Sequence, residues 1–133
     1  MPTTKEKLSI LSEMISFAKV NNKVKESEYD FLFSVAQQLE VSKKTFDSLF
    51  TSNVEHVIPK SESERLLQFH RLVLLMNVDN EQDIHEVKRI YDIGLNMGLP
   101  PGAIQQVLSI MHTYPNKVVP PEILISIFKA HYN

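Results

Sequence analysis

Apolar residues recur at intervals of three and four along nearly the whole chain, and no stretch alternates apolar and polar between Gly-rich turns. That spacing marks amphipathic helices and argues against strands. It predicts seven helices. The first runs from about Thr4 to Val20, with Leu8, Leu11, Ile15 and Ala18 on one face. The second, from about Glu26 to Leu39, carries Tyr29, Leu32, Phe33, Ala36 and Leu39, and the third, after Ser42, carries Phe46, Leu49 and Phe50. Pro59 closes this group, and Ser61-Glu62-Ser63-Glu64 opens a fourth helix bearing Leu66, Phe69, Val73, Leu75 and Met76. The fifth spans about Ile84 to Met97, where Gly98 and Pro100-Pro101 form a stop, because Gly takes the left-handed cap without strain and Pro cannot continue a helix. The sixth presents Ile104, Val107, Leu108 and Met111, and the seventh starts at Pro120-Pro121 and presents Leu124, Ile127 and Phe128.

The pattern repeats. Leu8 falls on Leu66, 58 residues on, and the same offset pairs Leu11 with Phe69, Ile15 with Val73, Leu32 with Ile90, Leu39 with Met97, Phe46 with Ile104 and Leu49 with Val107. Slipping the alignment by one residue sets Val20 against Asn77 and Leu49 against Gln106, so the apolar pattern selects its own register. Thr3…Glu6 and Ser61…Glu64, two capping-box spacings, coincide as well. The expectation is an all-α fold, a bundle of about seven helices made of two pseudo-symmetric three-helix units (about 8–50 and 66–108) plus a C-terminal capping helix. With 133 residues it fits a single domain covering 1–133. Val118-Val119-Pro120 echoes Val57-Ile58-Pro59, which makes the last helix resemble the start of a third copy, covering an apolar face as terminal repeats do. Its Ile123, Leu124, Ile125, Ile127 and Phe128 are apolar around more of the helix than one buried face requires, so part of it is expected to pack on a neighbouring chain.

Composition narrows the chemistry. Lys+Arg 14 against Asp+Glu 16 gives a net charge of −2 and no strongly basic segment, so the cationic field that nucleic-acid binding requires is missing. Without Cys there is no disulfide, zinc thiolate or thiol nucleophile. The longest wholly apolar run, Leu72 to Met76, is far short of a membrane span, and MPTTKEKLSILSEMI lacks the unbroken hydrophobic stretch of a signal peptide, so the expected location is cytoplasmic, with no membrane insertion.

The turn between the first two helices of each group is the most informative place. From Phe17 to Phe50 the chain reads FAKVNNKVKESEYDFLFSVAQQLEVSKKTFDSLF. This stretch resembles the TerB-like family, named for tellurite-resistance proteins and similar to the membrane-distal domain of the co-chaperone DjlA. Family members typically carry an Ala-Asp-Gly turn, an aliphatic residue, a small cap residue, a Glu seven places after the Asp, and a Leu-Gly-Leu-Ser-like break. Ala18, Asn21, Asn22, Val24, Glu28 and Leu39-Glu40-Val41-Ser42 stand in those places here. In the second group Asp79, Asn80, Asp83, Glu86 and Met97-Gly98-Leu99-Pro100 do so, and the likeness covers about Leu8 to Met111. The resemblance implies that the acidic positions gather near a shared surface as a weak cation site, borne by Asp79 and Glu86, or as a partner site formed by Asp79, Asp83, Glu86, Asn21 and Glu28.

Capping accounts for the same residues without a ligand. Asp83-Ile84-His85-Glu86 has capping-box spacing. In the first group Lys25 sits where the cap belongs, which shifts the expected cap to Ser27 with Asp30 in the reciprocal role. Two carboxylates also make a poor site for a hard cation, which commonly takes six or more oxygens. His85-Glu86 lacks the second His of a zinc-peptidase helix, since Arg89 stands there, and Gly94, Gly98 and Gly102 form no phosphate loop or nucleophile elbow. His56, His70, His112 and His131 have no local partner and read as structural or surface residues. The resulting expectation is a non-catalytic interaction module without cofactor, with a protein partner or a second copy. The alternative that the resemblance implies is a metal-ion or oxyanion responsive binding protein linked to tellurite tolerance.

Overall fold

A computed structural model describes residues 3–19, 24–78 and 84–132. Its described residues form seven α-helices and no strand: α1 (Thr4–Ala18), α2 (Glu26–Gln38), α3 (Lys43–Ser48), α4 (Glu62–Met76), α5 (Ile84–Asn96), α6 (Pro101–Ile110) and α7 (Pro121–His131). Short 3-10 turns at Met111–Thr113 and Pro115–Lys117 join α6 to α7. The all-α, seven-helix expectation holds, with boundaries within a residue or two of those read from the sequence. Contacts divide the chain into two compact units, Met1–Lys60 and Ser61–Asn133.

In the first unit α2 packs against α1 and α3. Thr3 caps α1 in a complete box: Thr3 Oγ1 accepts from the Glu6 N–H at 3.1 Å, and Glu6 Oε1 accepts from the Thr3 N–H at 3.0 Å. Glu6 Oε2 also accepts from the Lys60 N–H at 3.3 Å, so one carboxylate ties the helix start to the end of the unit. These backbone donors, Thr3 first and Lys60 next, hold the Glu6 carboxyl below its ordinary pKa. Inside, Phe46 is fully buried and its ring lies 5.2–5.7 Å from those of Tyr29, Phe33 and Phe50. A fully buried Leu or Phe such as Leu11, Leu32 or Phe46 contributes about 1.5–3 kcal/mol relative to exposure. Tyr29 extends the cluster to the surface, donating its hydroxyl to Asp47 Oδ1 at 2.6 Å, while Lys43 Nζ donates to Asp47 Oδ2 at 2.7 Å.

In the second unit α4 packs against α5 and α7, and α6 against α5 and α7. Phe69 and Phe128 meet edge to face at 5.7 Å, which places α7 over the apolar side of α4. Leu124, Ile127 and Phe128 are the buried residues of α7, the same three read from the sequence as its inner face. Gly94 lets α5 and α6 approach closely, because a Cβ there would lie 2.7 Å from Ile104 Cδ1. Ser61 Oγ accepts from the Glu64 N–H at 3.1 Å, so the cap expected at α4 is in place from the Ser61 side.

The element starts recur at the sequence offset. Thr4, Glu26 and Lys43 open α1, α2 and α3, and the residues 58 positions later, Glu62, Ile84 and Pro101, open α4, α5 and α6. Both second helices end in the same motif, with the Val41 N–H bonded to the Ala36 carbonyl at 2.9 Å and the Leu99 N–H to the Gly94 carbonyl at 3.0 Å. That closure requires a left-handed residue one place earlier. Gly98 supplies it at φ 81°, and Glu40 supplies it at φ 60°.

Candidate functional site

Of the residues singled out for the acidic turns, Asn21, Asp79 and Asp83 lie outside the described residues. Glu28 is buried, and its Oε1 accepts from the Lys25 N–H at 2.9 Å, across the first turn of α2. The cap therefore stays at Lys25 and does not shift to Ser27 and Asp30. The physical reason is that Glu28 needs only a backbone N–H at position 25, which Lys provides, and only the side-chain half of the box is missing. Glu86 sits in the first turn of α5, partly exposed. Glu28 thus has a structural task, and among the described residues no group of three or more His, Cys, Asp or Glu gathers as a metal would require.

Two other places stand out in the structure, and only the second, along α7, is signalled by the sequence. The first is a polar cleft of about 460 Å³ in the first unit, between α1 and the segment that follows α3. Ser12, Ile15, Ser16 and Lys19 line one wall, spaced so that they share one face of the helix. Residues 49–54 and His56 form the other wall. The opposing segment runs back along α1 and is pinned at both ends. At one end Ser9 Oγ accepts from the Val57 N–H at 2.7 Å, and Ser12 Oγ pairs with His56 Nε2 at 3.3 Å. At the other end the Lys19 ammonium donates to the Phe50 carbonyl and lies 5.8 Å from the Phe50 ring centroid. Between these anchors Ser16, Thr51, Ser52 and Asn53 border the opening. No local motif in the sequence joins Ser9, Ser12 and Lys19 to their partners some 30 to 50 residues away.

The second unit pins its return segment in a different way. His70 Nε2 donates to the Val119 carbonyl at 3.1 Å, and Asn77 Nδ2 donates to the Lys117 carbonyl at 3.4 Å. Burial pushes the His70 imidazole below its ordinary pKa, against a smaller upward effect of the Val119 bond. Of the structural or surface roles expected for the histidines, His70 takes a structural one.

The second place is an apolar groove of about 230 Å³ in the second unit, lined by Glu62, Ser63 and Leu66 of α4 and by Ile125, Phe128, Lys129 and Tyr132 at the end of the chain. Ile125 and Tyr132 on the groove side are 43% and 45% exposed and Ile123 on the other flank of the buried face is 37% exposed, so the surplus apolar residues read from the α7 sequence do reach the surface.

Fold and sites together define a small all-α protein of two helical units, one carrying a polar cleft beside a lysine and the other an apolar groove along its last helix. Compared with family models, with curated proteins and with solved structures, the chain matches none. No helix of the described residues is long and apolar enough to cross a membrane.

Proposed function

We propose that the chain is a non-catalytic, TerB-like helical module that acts by contact with protein, and that its first contact is with a second copy of itself. The observation that carries this reading is the exposed apolar side of α7. Leu124, Ile127 and Phe128 already satisfy the packing of this helix, yet Ile125 and Tyr132, two turns apart on its groove side, remain at the surface. Side chains of this size are costly to leave in water and mark contact surfaces when they cluster. Sedimentation at tens of micromolar tests the reading: a dimer that Ile125→Glu converts to monomer without loss of helicity supports it, and a monomeric parent protein refutes it.

The same proposal takes the two units as copies of one ancestral unit, supported by the common offset of their element starts and of their helix-ending motifs. The acidic turns form a second contact region in this reading. Loss of a pulled-down partner on Asp79→Ala/Glu86→Ala, with helicity intact, would support that assignment, and unchanged binding would move the contact to another face. A bacterial stress-response setting, tellurite tolerance included, is what the resemblance implies. An identical growth phenotype on tellurite with and without the gene would remove it.

A further inference from the structure

We propose that the cleft between α1 and residues 49–56 binds the phosphate group of a small phosphorylated molecule. The argument starts from charge. The protein as a whole carries a net charge of −2, yet the lining of this cleft holds an ammonium, an imidazole, four hydroxyls and a carboxamide, and no carboxylate. Such a lining favours an anion, because its ammonium has no carboxylate in the lining to offset it. Oxygen-rich anions are favoured further, because Ser12, Ser16, Thr51, Ser52 and Asn53 are all hydrogen-bonding groups and most can donate.

Position supports the same reading. Lys19 spends one of its donors on the Phe50 carbonyl, which holds the ammonium at the rim of the cleft and leaves two donors. His56 is held at the opposite end by Ser12. A phosphate between them would meet a point charge on one side and hydroxyl or ring donors on the other, the charge-assisted pattern that makes such bonds strong. A cleft of about 460 Å³ falls in the range of small-ligand pockets and exceeds what a bare phosphate fills. Ile15, Leu49 and Phe50 supply the apolar remainder, against which a ring or carbon chain can lie.

The other unit provides an internal control. The residues 58 positions after Ser12, Ser16 and Lys19 are His70, Leu74 and Asn77. There the return segment is secured by buried, uncharged donors on backbone carbonyls. Holding the segment in place therefore does not require a lysine or a row of hydroxyls. Their presence in the first unit alone calls for another task, and anion binding is the task their chemistry fits.

The test is a titration of the full chain with inorganic phosphate, ribose 5-phosphate and AMP, followed by amide resonances, with ribose as the uncharged control. Saturable shifts are expected at residues 12–19 and 50–56 for the phosphate-bearing probes and none for ribose, with at least one phosphoester binding more tightly than inorganic phosphate. Lys19→Gln and His56→Gln should each weaken binding about tenfold or more. Lys19→Arg, which retains the charge and a donor for the Phe50 carbonyl, should remain within about threefold, and Lys19→Gln should lose affinity while its amide spectrum without probe stays that of the folded parent, which a purely structural role for Lys19 would not produce. Absence of shifts at millimolar probe, shifts centred elsewhere, or affinities unchanged by both Gln variants would overturn the proposal. Inorganic phosphate binding as tightly as every phosphoester would overturn the assignment of an organic moiety.

Discussion

Glu40 occupies a backbone conformation better suited to glycine, and replacing it should stabilise the protein. Its φ of 60° lies in the left-handed region, where the Cβ of an L-residue crowds the following carbonyl at a cost of about 1–2 kcal/mol. The conformation is imposed by what surrounds it: the Glu40 N–H is bonded to the Gln37 carbonyl at 3.1 Å and the Val41 N–H to the Ala36 carbonyl at 2.9 Å, which closes the end of α2. Glu40→Gly removes the crowding but enlarges the unfolded ensemble, a loss of about 0.4–1 kcal/mol. The net expectation is a gain of roughly 0.5–1 kcal/mol, or about 2–4 °C in Tm for a chain of this length. Gly98→Ala is the converse at the matching position. Nothing lies within 4 Å of a Cβ placed on Gly98, so its whole effect should come from φ, and a loss of similar size is expected. Glu40→Ala serves as the control, since it alters the side chain and keeps the strained φ. Thermal melts by circular dichroism decide the matter. The reasoning fails if Glu40→Gly lowers Tm, or if Glu40→Ala raises it as much as Glu40→Gly does.

Gly94→Ala should destabilise the second unit by roughly 1 kcal/mol, because overpacking against the fully buried Ile104, about 1–3 kcal/mol, outweighs the gain in helix propensity of about 1 kcal/mol. Adding Ile104→Val removes the Cδ1 that a new Cβ would meet, so a double-mutant cycle in urea should show favourable coupling, and additivity would contradict the contact. Burial holds the pKa of His70 below 6.5, so the unfolded chain binds its proton first, and stability should be full above about pH 6.5 and decline as the pH falls below it. His70→Gln, which can still donate to the Val119 carbonyl, should flatten this part of the profile, and an unchanged slope between pH 7.5 and 5 would show that His70 is not its source. Thr3→Ala removes the side-chain half of the α1 capping box and should cost about 1 kcal/mol, read as a lower urea midpoint with unchanged slope.

The helices were legible because each carries its own apolar stripe and its own stops, so the signal is contained within a dozen residues. Leu11, Ile15, Leu32, Phe46, Phe69, Val73, Ile104 and Val107 were all assigned to inner faces and all are buried. The cap of α2 is not legible from side-chain chemistry, because the Lys25 side chain offers no acceptor while Glu28 needs only the Lys25 backbone N–H. The polar cleft was illegible for a different reason. Lys19 reaches Phe50, Ser12 reaches His56 and Ser9 reaches Val57, and periodicity carries no information about which distant segment will lie along the outer side of a helix. Of the five residues that the resemblance places in the acidic turns, only Glu28 and Glu86 fall among the described ones.

If the two units are copies of one plan, the positions at which they differ separate structural residues from residues kept for a ligand. Ser12, Ser16 and Lys19 correspond in sequence to His70, Leu74 and Asn77 at the 58-residue offset, and the second set shows that the plan is satisfied by donors aimed at backbone carbonyls with an aliphatic residue between them. Transplanting it as Ser12→His/Ser16→Leu/Lys19→Asn should leave a folded first unit, because Ser9 still holds Val57 and the buried Leu11, Met14 and Ile15 are untouched. The same change removes the ammonium and two hydroxyls from the cleft and places an isobutyl group in its wall, so the phosphate-induced shifts at residues 50–56 should vanish. A triple variant that loses the first unit's helicity would refute the common plan. A folded variant that still responds to phosphate would place the anion elsewhere, and either result is read from one spectrum of one protein.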